Sequence, residues 1–420
     1  MKKVLLFPFV IVLVLNFSCS REEWYNYHEQ EISNSGIQRA IAIVQESTPM
    51  LIHGSGSVVC SNRCVDYNNG IYCITKKNVV NSIQQSIDTL LYVINFENNQ
   101  GYAIVSAVDG QEHLLAITEQ GHYTPQQKSV YEGVDLFIER AAKYVENQRV
   151  VSLRDTIVYV FPMSINPRVP VSWGQDNNYA LFTENGKAGC ASTAVAMTMC
   201  TFQHPTILPL TYPMTIDSLR PSQITLEWDT LYKYKNSVYC YVSNKDSTET
   251  VISRLMRQLG HQMNSTYYPN TTSTNLAAVP TVLASYGYTV STISNYTLLT
   301  PLYQILQDSA IILMSGHRTN IQQNDSTDFA HMWIIDGYKQ YDINLQTDPF
   351  LPKAFPPFII HATMYYHVNW GWDGDSNGYF EAGVFDTQQA YEYDDEIPGI
   401  TQNKYYNTEL KYFSVKWQGT

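Results

Sequence analysis

The sequence predicts an α+β protein in two bodies, a small mixed module followed by a larger one whose helices precede an antiparallel sheet. Three observations predict it. Two apolar, β-rich runs, Leu90–Phe96 and Tyr102–Ala107, flank an Asn/Gly turn, which is a hairpin signal. Prolines at 162, 167 and 170 break the periodic pattern and mark a linker or an extended crossing. Beyond them a helix of small residues, Cys190–Phe202, comes before a series of short strand-like runs.

The chain opens with Met1-Lys2-Lys3 and the apolar run Val4–Leu15, too short to span a bilayer comfortably, so residues 1–18 read as an export signal. Cys19 follows Asn16-Phe17-Ser18 and resembles the lipidated cysteine of a bacterial lipoprotein. Anchoring through acyl chains at the outer membrane is the expectation, with plain secretion the alternative. Residues 19–160 form the first module. In it Ile37, Ile41 and Val44 share one face of a helical pattern, a third strand runs from His113 to Thr118, and Val130–Asn147 has amphipathic helical spacing. Residues 165–420 form the second body. Its further helices lie near Thr250–Leu259 and Leu276–Tyr286. Its strands are Ala310–Met314, His331–Gly337, Tyr365–Trp370, Gly378–Ala382 and Tyr412–Val415.

Composition excludes one partner class. A net charge of -12 lacks the clustered Lys and Arg that displace counterions from a phosphate backbone, so nucleic acid is not expected. Apolar residues at 44%, with 32 tyrosines, supply ample core. Of the seven cysteines, six remain beyond Cys19; the close trio Cys60, Cys64 and Cys73 suggests a local disulfide, because no second Cys pair or paired His completes a zinc site. No metal and no cofactor is expected.

Three segments carry chemistry. Gly189 precedes Cys190 and the small residues Ala191-Ser192-Thr193-Ala194, so the cysteine heads a helix, where free N–H groups and the dipole favour thiolate. His331 begins the core run Met332-Trp333-Ile334-Ile335 that ends at Asp336-Gly337, which sets an imidazole at the edge of a rigid sheet. Asn369, in His367-Val368-Asn369-Trp370-Gly371-Trp372, can accept a ring N–H and fix the tautomer whose other nitrogen faces sulfur, with Trp370 shielding that bond. His367 sits beside Asn369 and is a weaker candidate for the base. Asp373, Asp375 and Asn377 match the opening of a calcium loop, but Val384 stands where the bidentate Glu belongs, so a polar turn is expected.

Cys, His and Asn in that chain order are the order of papain-like peptidases, and the three segments resemble the streptopain family of bacterial cysteine peptidases, which includes interpain-like enzymes. Gly189–Ala194, His331–Gly337 and His367–Trp372 carry the resemblance. So does Val171-Ser172-Trp173-Gly174-Gln175, similar to the start of the family's mature enzyme. The resemblance implies a papain-like catalytic domain, an oxyanion-hole role for Gln175 and protein or peptide substrates. It also implies that Asn95–Ala107 belong to an inhibitory propeptide, an intramolecular partner removed by cleavage between about residues 150 and 172. The rival expectation is a catalytically silent surface lipoprotein that binds other proteins, against which the intact Cys190, His331, Asn369 and Gln175 count.

Overall fold

The computed structural model describes residues 25–29, 35–52, 63–67, 70–80, 84–108, 112–124, 132–148, 163–297, 300, 302–318, 329–344, 359–385 and 410–419. The export signal, Cys19, Cys60 and Pro162 lie outside the described residues.

In the N-terminal module, β1 (Tyr25–Glu29) and α1 (Ser35–Ile52) precede β2 (Ile71–Val80), β3 (Gln84–Asn95), β4 (Tyr102–Ser106), β5 (Leu114–Thr118) and α2 (Glu132–Gln148). Helix α1 buries Ile37, Ala40, Ile41 and Val44, the face expected from sequence. Helix α2 buries Val134, Phe137, Ile138, Ala141 and Val145. The β3–β4 hairpin turns through Asn98 and Asn99, both at positive φ, before Gly101.

The C-terminal body opens with β6 (Met163–Ile165), α3 (Cys190–Phe202), the short β7 (Ile207–Pro209) and β8 (Gln223–Thr225), α4 (Trp228–Leu231) and α5 (Lys245–Gln262). The two-stranded pair β9 (Thr266–Tyr267) and β10 (Thr272–Ser273) precedes α6 (Ala278–Ser285); β11 (Thr289–Val290) and β12 (Ser294–Asn295), each of which pairs with the last strand of the chain, come after it, and α7 (Leu302–Gln307) follows. Then come β13 (Ile311–Arg318), β14 (Phe329–Asn344), β15 (Ile359–Asn369), β16 (Gly378–Glu381) and β17 (Lys411–Lys416). Helix α5 begins at Asn244, whose side chain accepts the Ser247 N–H, and buries Ile252, Leu255, Met256 and Leu259 at helical spacing.

The two bodies share one sheet. Its order is β1-β2-β3-β4-β5-β16-β15-β14-β13-β17-β11, and β5 of the module pairs antiparallel with β16 of the C-terminal body. Helices α3, α5 and α6 pack on one face of the C-terminal strands. Helix α1 packs on the same side of the module's strands, where its core includes Tyr365 and Tyr379. Helix α2 lies on the opposite face, in a core that joins Phe137 and Val145 to Trp333, Trp370 and Phe380. The α+β class is therefore observed, with two cores that cross the boundary between the bodies. The proline-marked crossing contains a short strand, because Met163–Ile165 pair with Tyr338–Gln340 of β14.

The expected local disulfide is not formed by Cys64 or Cys73, which are free thiols. Cys73 is fully buried within β2, where burial pushes its thiol up to about 11, and Cys64 is exposed on the approach to that strand. Cys200 and Cys240 are also free. No helix among the described residues is long and apolar enough to cross a membrane.

Candidate active site

Cys190 is the first residue of α3, and the residue before it explains why the helix starts there. Gly189 has φ +88, and a Cβ at that position would approach a Thr272 side-chain carbon to 2.9 Å, so a side chain is excluded by both backbone and space. The first turn is tied back when Thr193 donates its hydroxyl to the carbonyls of Gly189 and Gly174. Ala188 N–H in turn donates to the Gln175 carbonyl at 2.7 Å, which seats the Gln175 segment beside the head of α3. The helix N-terminus offers unpaired N–H groups and positive potential at the sulfur.

His331 and Cys190 line the same cleft, of about 630 Å³, together with Gln175, Lys187 and Trp372. Asn99, Gln120 and Gly121 of the N-terminal module line it as well. His331 is 6% exposed; its ring stacks on Trp372 at 4.8 Å and lies 6.2 Å from Trp370. Burial pushes its imidazole down to about 4, partly opposed by the hydrogen bond to Trp370, so the ring is neutral at pH 7.

The tautomer is set differently from the expectation. The Nε2–H of His331 donates to the backbone carbonyl of Trp370 at 3.0 Å, not to the side chain of Asn369. This still leaves Nδ1 as the proton acceptor. Asn369 instead donates to the Val171 carbonyl at 3.0 Å and accepts the Gly371 N–H at 3.2 Å, tying the strand end to the segment that leads into Trp173 and Gln175. Trp370 is 1% exposed and packs between Trp333, Trp372 and Phe380, and the bond it was expected to shield, between His331 and Asn369, is not formed.

Helix α2 closes the site from above. A Cβ on Gly133 would meet the Trp370 ring at 2.5 Å and His331 at 3.1 Å, so only glycine lets the module lie this close to the imidazole. The polar turn after Trp372 is used structurally: Asp373 accepts the Ser237 N–H at 2.8 Å and the hydroxyls of Tyr179 and Ser237. Asn377 accepts the Trp370 N–H and donates to Ser172. Among the described residues no group of His, Cys, Asp and Glu is placed to hold a metal ion.

His367, the weaker sequence candidate, is taken up elsewhere. Its Nδ1–H donates to Asp336 at 2.6 Å, and although burial by itself would lower the ring's proton affinity, Asp336 and Glu119 raise it to about 10. Sequence reasoning passed over Gly133, Trp372 and Asp336. The Trp-Gly-Trp and Ile-Asp-Gly segments were visible signals for the last two, whereas nothing local marked Gly133, whose neighbours lie about 200 residues away in the chain.

Residues 173–380 match the model of the Peptidase C10 family. The C-terminal body belongs to that family. The match spans the segments of Cys190, His331, Asn369 and Gln175, and the protein is a cysteine-type peptidase with the α+β architecture that the family resemblance implied. No curated protein matches the chain. Among solved structures, the chain is similar to a mutant prointerpain A fragment from Prevotella intermedia, at 16% identity and TM-score 0.49 over 81% of this chain and 97% of that one. It is also similar to the active wild-type interpain A cysteine protease of Prevotella intermedia, at 17% identity and TM-score 0.37 over 60% and 94%.

Proposed function

We propose that this protein is a cysteine endopeptidase made as a zymogen, in which Cys190 is the nucleophile, His331 the base, Asn369 the group that orients the imidazole and Gln175 an oxyanion-hole donor. The observation that carries this reading is the convergence of Cys190, at the head of α3, and His331, on β14, on one cleft. His331 Nδ1 takes the thiol proton, and the sulfur attacks the peptide carbonyl. The oxyanion that forms is stabilised by the Cys190 N–H and the Gln175 amide. The C–N bond breaks as the imidazolium protonates the leaving amine, leaving a thioester, which water hydrolyses with His331 again as base.

Latency rests on the N-terminal module. It covers His331 with α2, lines the cleft with Asn99 and Gln120, and keeps the base in a dry environment where it resists protonation. An imidazole that resists protonation cannot stabilise a thiolate beside it. Release of the module by cleavage between about residues 150 and 172 would hydrate the ring and let Asn369 take the Nε2–H from the Trp370 carbonyl. The sequence of residues 1–19 supports export with lipid anchoring at Cys19, residues 19–160 as the propeptide and 165–420 as the peptidase. The test is hydrolysis of casein under reducing conditions by the purified chain and by a Cys190→Ala variant. Loss of both hydrolysis and self-processing in the variant is expected, and a variant that still cleaves overturns the reading.

A further inference from the structure

Away from the catalytic cleft, two buried cationic side chains of the C-terminal body face the N-terminal module. Lys339, 6% exposed, donates its ammonium to the Leu51 carbonyl near the C-terminal end of α1 and lies over the Tyr379 ring at 4.6 Å. His367, 5% exposed, spends its Nδ1–H on Asp336, whose other oxygen accepts the N–H groups of Arg168 and Val169 at 3.0 and 2.7 Å. The second ring nitrogen of His367 is buried, makes no hydrogen bond, and faces the Glu119 carboxylate at 3.7 Å.

Glu119 is delivered to that point by the module's own backbone. It follows β5, its N–H donates to the Asn377 carbonyl at 2.6 Å, and Arg63 donates to the carbonyls of Thr118 and Glu119. We propose, building on the latency reading above, that His367 and Lys339 form a carboxylate-receiving pocket on the peptidase body and that Glu119 is its occupant, anchoring the module by charge beside the β5–β16 pairing.

The chemistry favours an anion over a neutral side chain. An imidazolium clamped by Asp336 presents a second N–H into a region with little water, and a carboxylate meets that charge where an amide does not. Lys339 adds a second positive group, and the negative end of the α1 dipole accepts its hydrogen bond. Burial alone would raise the Glu119 carboxyl, yet His367, Arg63 and Lys339 hold it below its usual range. When the module departs, both acceptors, Glu119 and the Leu51 carbonyl, leave together, so the two contacts act as one latch.

Hydrogen exchange by mass spectrometry tests this on the full chain carrying Cys190→Ala, which prevents self-processing. In Glu119→Gln and in Lys339→Met, exchange of β5 and β16 amides is expected to rise about tenfold, the size of one charge-assisted contact, while α5 amides keep their rates. The double variant should rise less than the product of the two single effects. Unchanged exchange at β5 and β16, or an equal rise at α5, overturns the anchor. In the chain with Cys190 intact, Glu119→Gln should also shorten the lag of self-processing. Faster exchange with an unchanged lag would leave the anchor standing and count against the latency reading instead.

Discussion

The two halves of the cleft are in different states of readiness. The Cys190 half is built from α3 and the Gln175 segment, Cys190 is half-buried at a helix head, and the hydrogen bonds of Thr193 and Ala188 that shape it stay within the C-terminal body. The His331 half is covered by a helix of the other body, its ring is stacked on Trp372, and burial keeps it neutral. The difference teaches where the N-terminal module bears on the cleft: on the imidazole, which under the proposed function needs water and a partner to hold a proton.

Several changes break or sharpen that comparison. The largest effect belongs to the proposed nucleophile: Cys190→Ala should lower peptide hydrolysis by at least ~10⁴-fold, since the proposed covalent route is lost outright. On the other half, His331 makes the full chain acid-sensitive. Its folded value near 4 lies below the ordinary 6.5, so its favourable contribution is complete above pH 6.5 and is lost as pH falls toward 4, about 3 kcal/mol in all. Urea unfolding of the Cys190→Ala chain at pH 7 and pH 4 should show that loss, and a His331→Gln variant should lack this component. His367 does not interfere in this window, because a value raised to about 10 moves its own loss to the alkaline side.

Smaller changes separate geometry from chemistry. Gly133→Leu has no room against Trp370 and His331, so α2 must lift; the lag before self-processing should shorten severalfold while the activity of fully processed enzyme stays the same. Asn369→Ala removes a buried amide that bridges Val171 and Gly371. A stability loss of about 1–3 kcal/mol is expected by thermal unfolding, along with a fall in kcat after processing. Cys64→Ser, at an exposed free thiol, should change neither Tm nor activity by a measurable amount.

Much of this was legible in the sequence, for identifiable reasons. The helix at Cys190 was announced by a glycine that only an N-terminal cap needs, and the strands carrying His331 and Asn369 by long apolar runs. The hairpin of β3 and β4 followed from its Asn/Gly turn. What escaped depended on pairings between distant segments. The ring of His331 could be expected to seek an acceptor near Asn369, but the choice of the Trp370 carbonyl rests on how β15 ends against Val171. The union of the two bodies through β5 and β16 carries no local signal, since Leu114–Thr118 reads as an ordinary strand with no mark of its partner. The cysteine trio misled because short spacing invites a disulfide, whereas Cys73 serves as a core residue of β2.

The central claim, that the module disables the base and leaves the nucleophile in place, is tested most directly by the pH dependence of alkylation at Cys190, followed by mass mapping of its peptide in the full chain and in the processed enzyme. The account predicts that Cys190 in the full chain reacts with iodoacetamide only as pH turns alkaline, and that processing moves the onset of reaction to mildly acidic pH as the imidazolium forms beside the sulfur. Identical profiles before and after processing would contradict it.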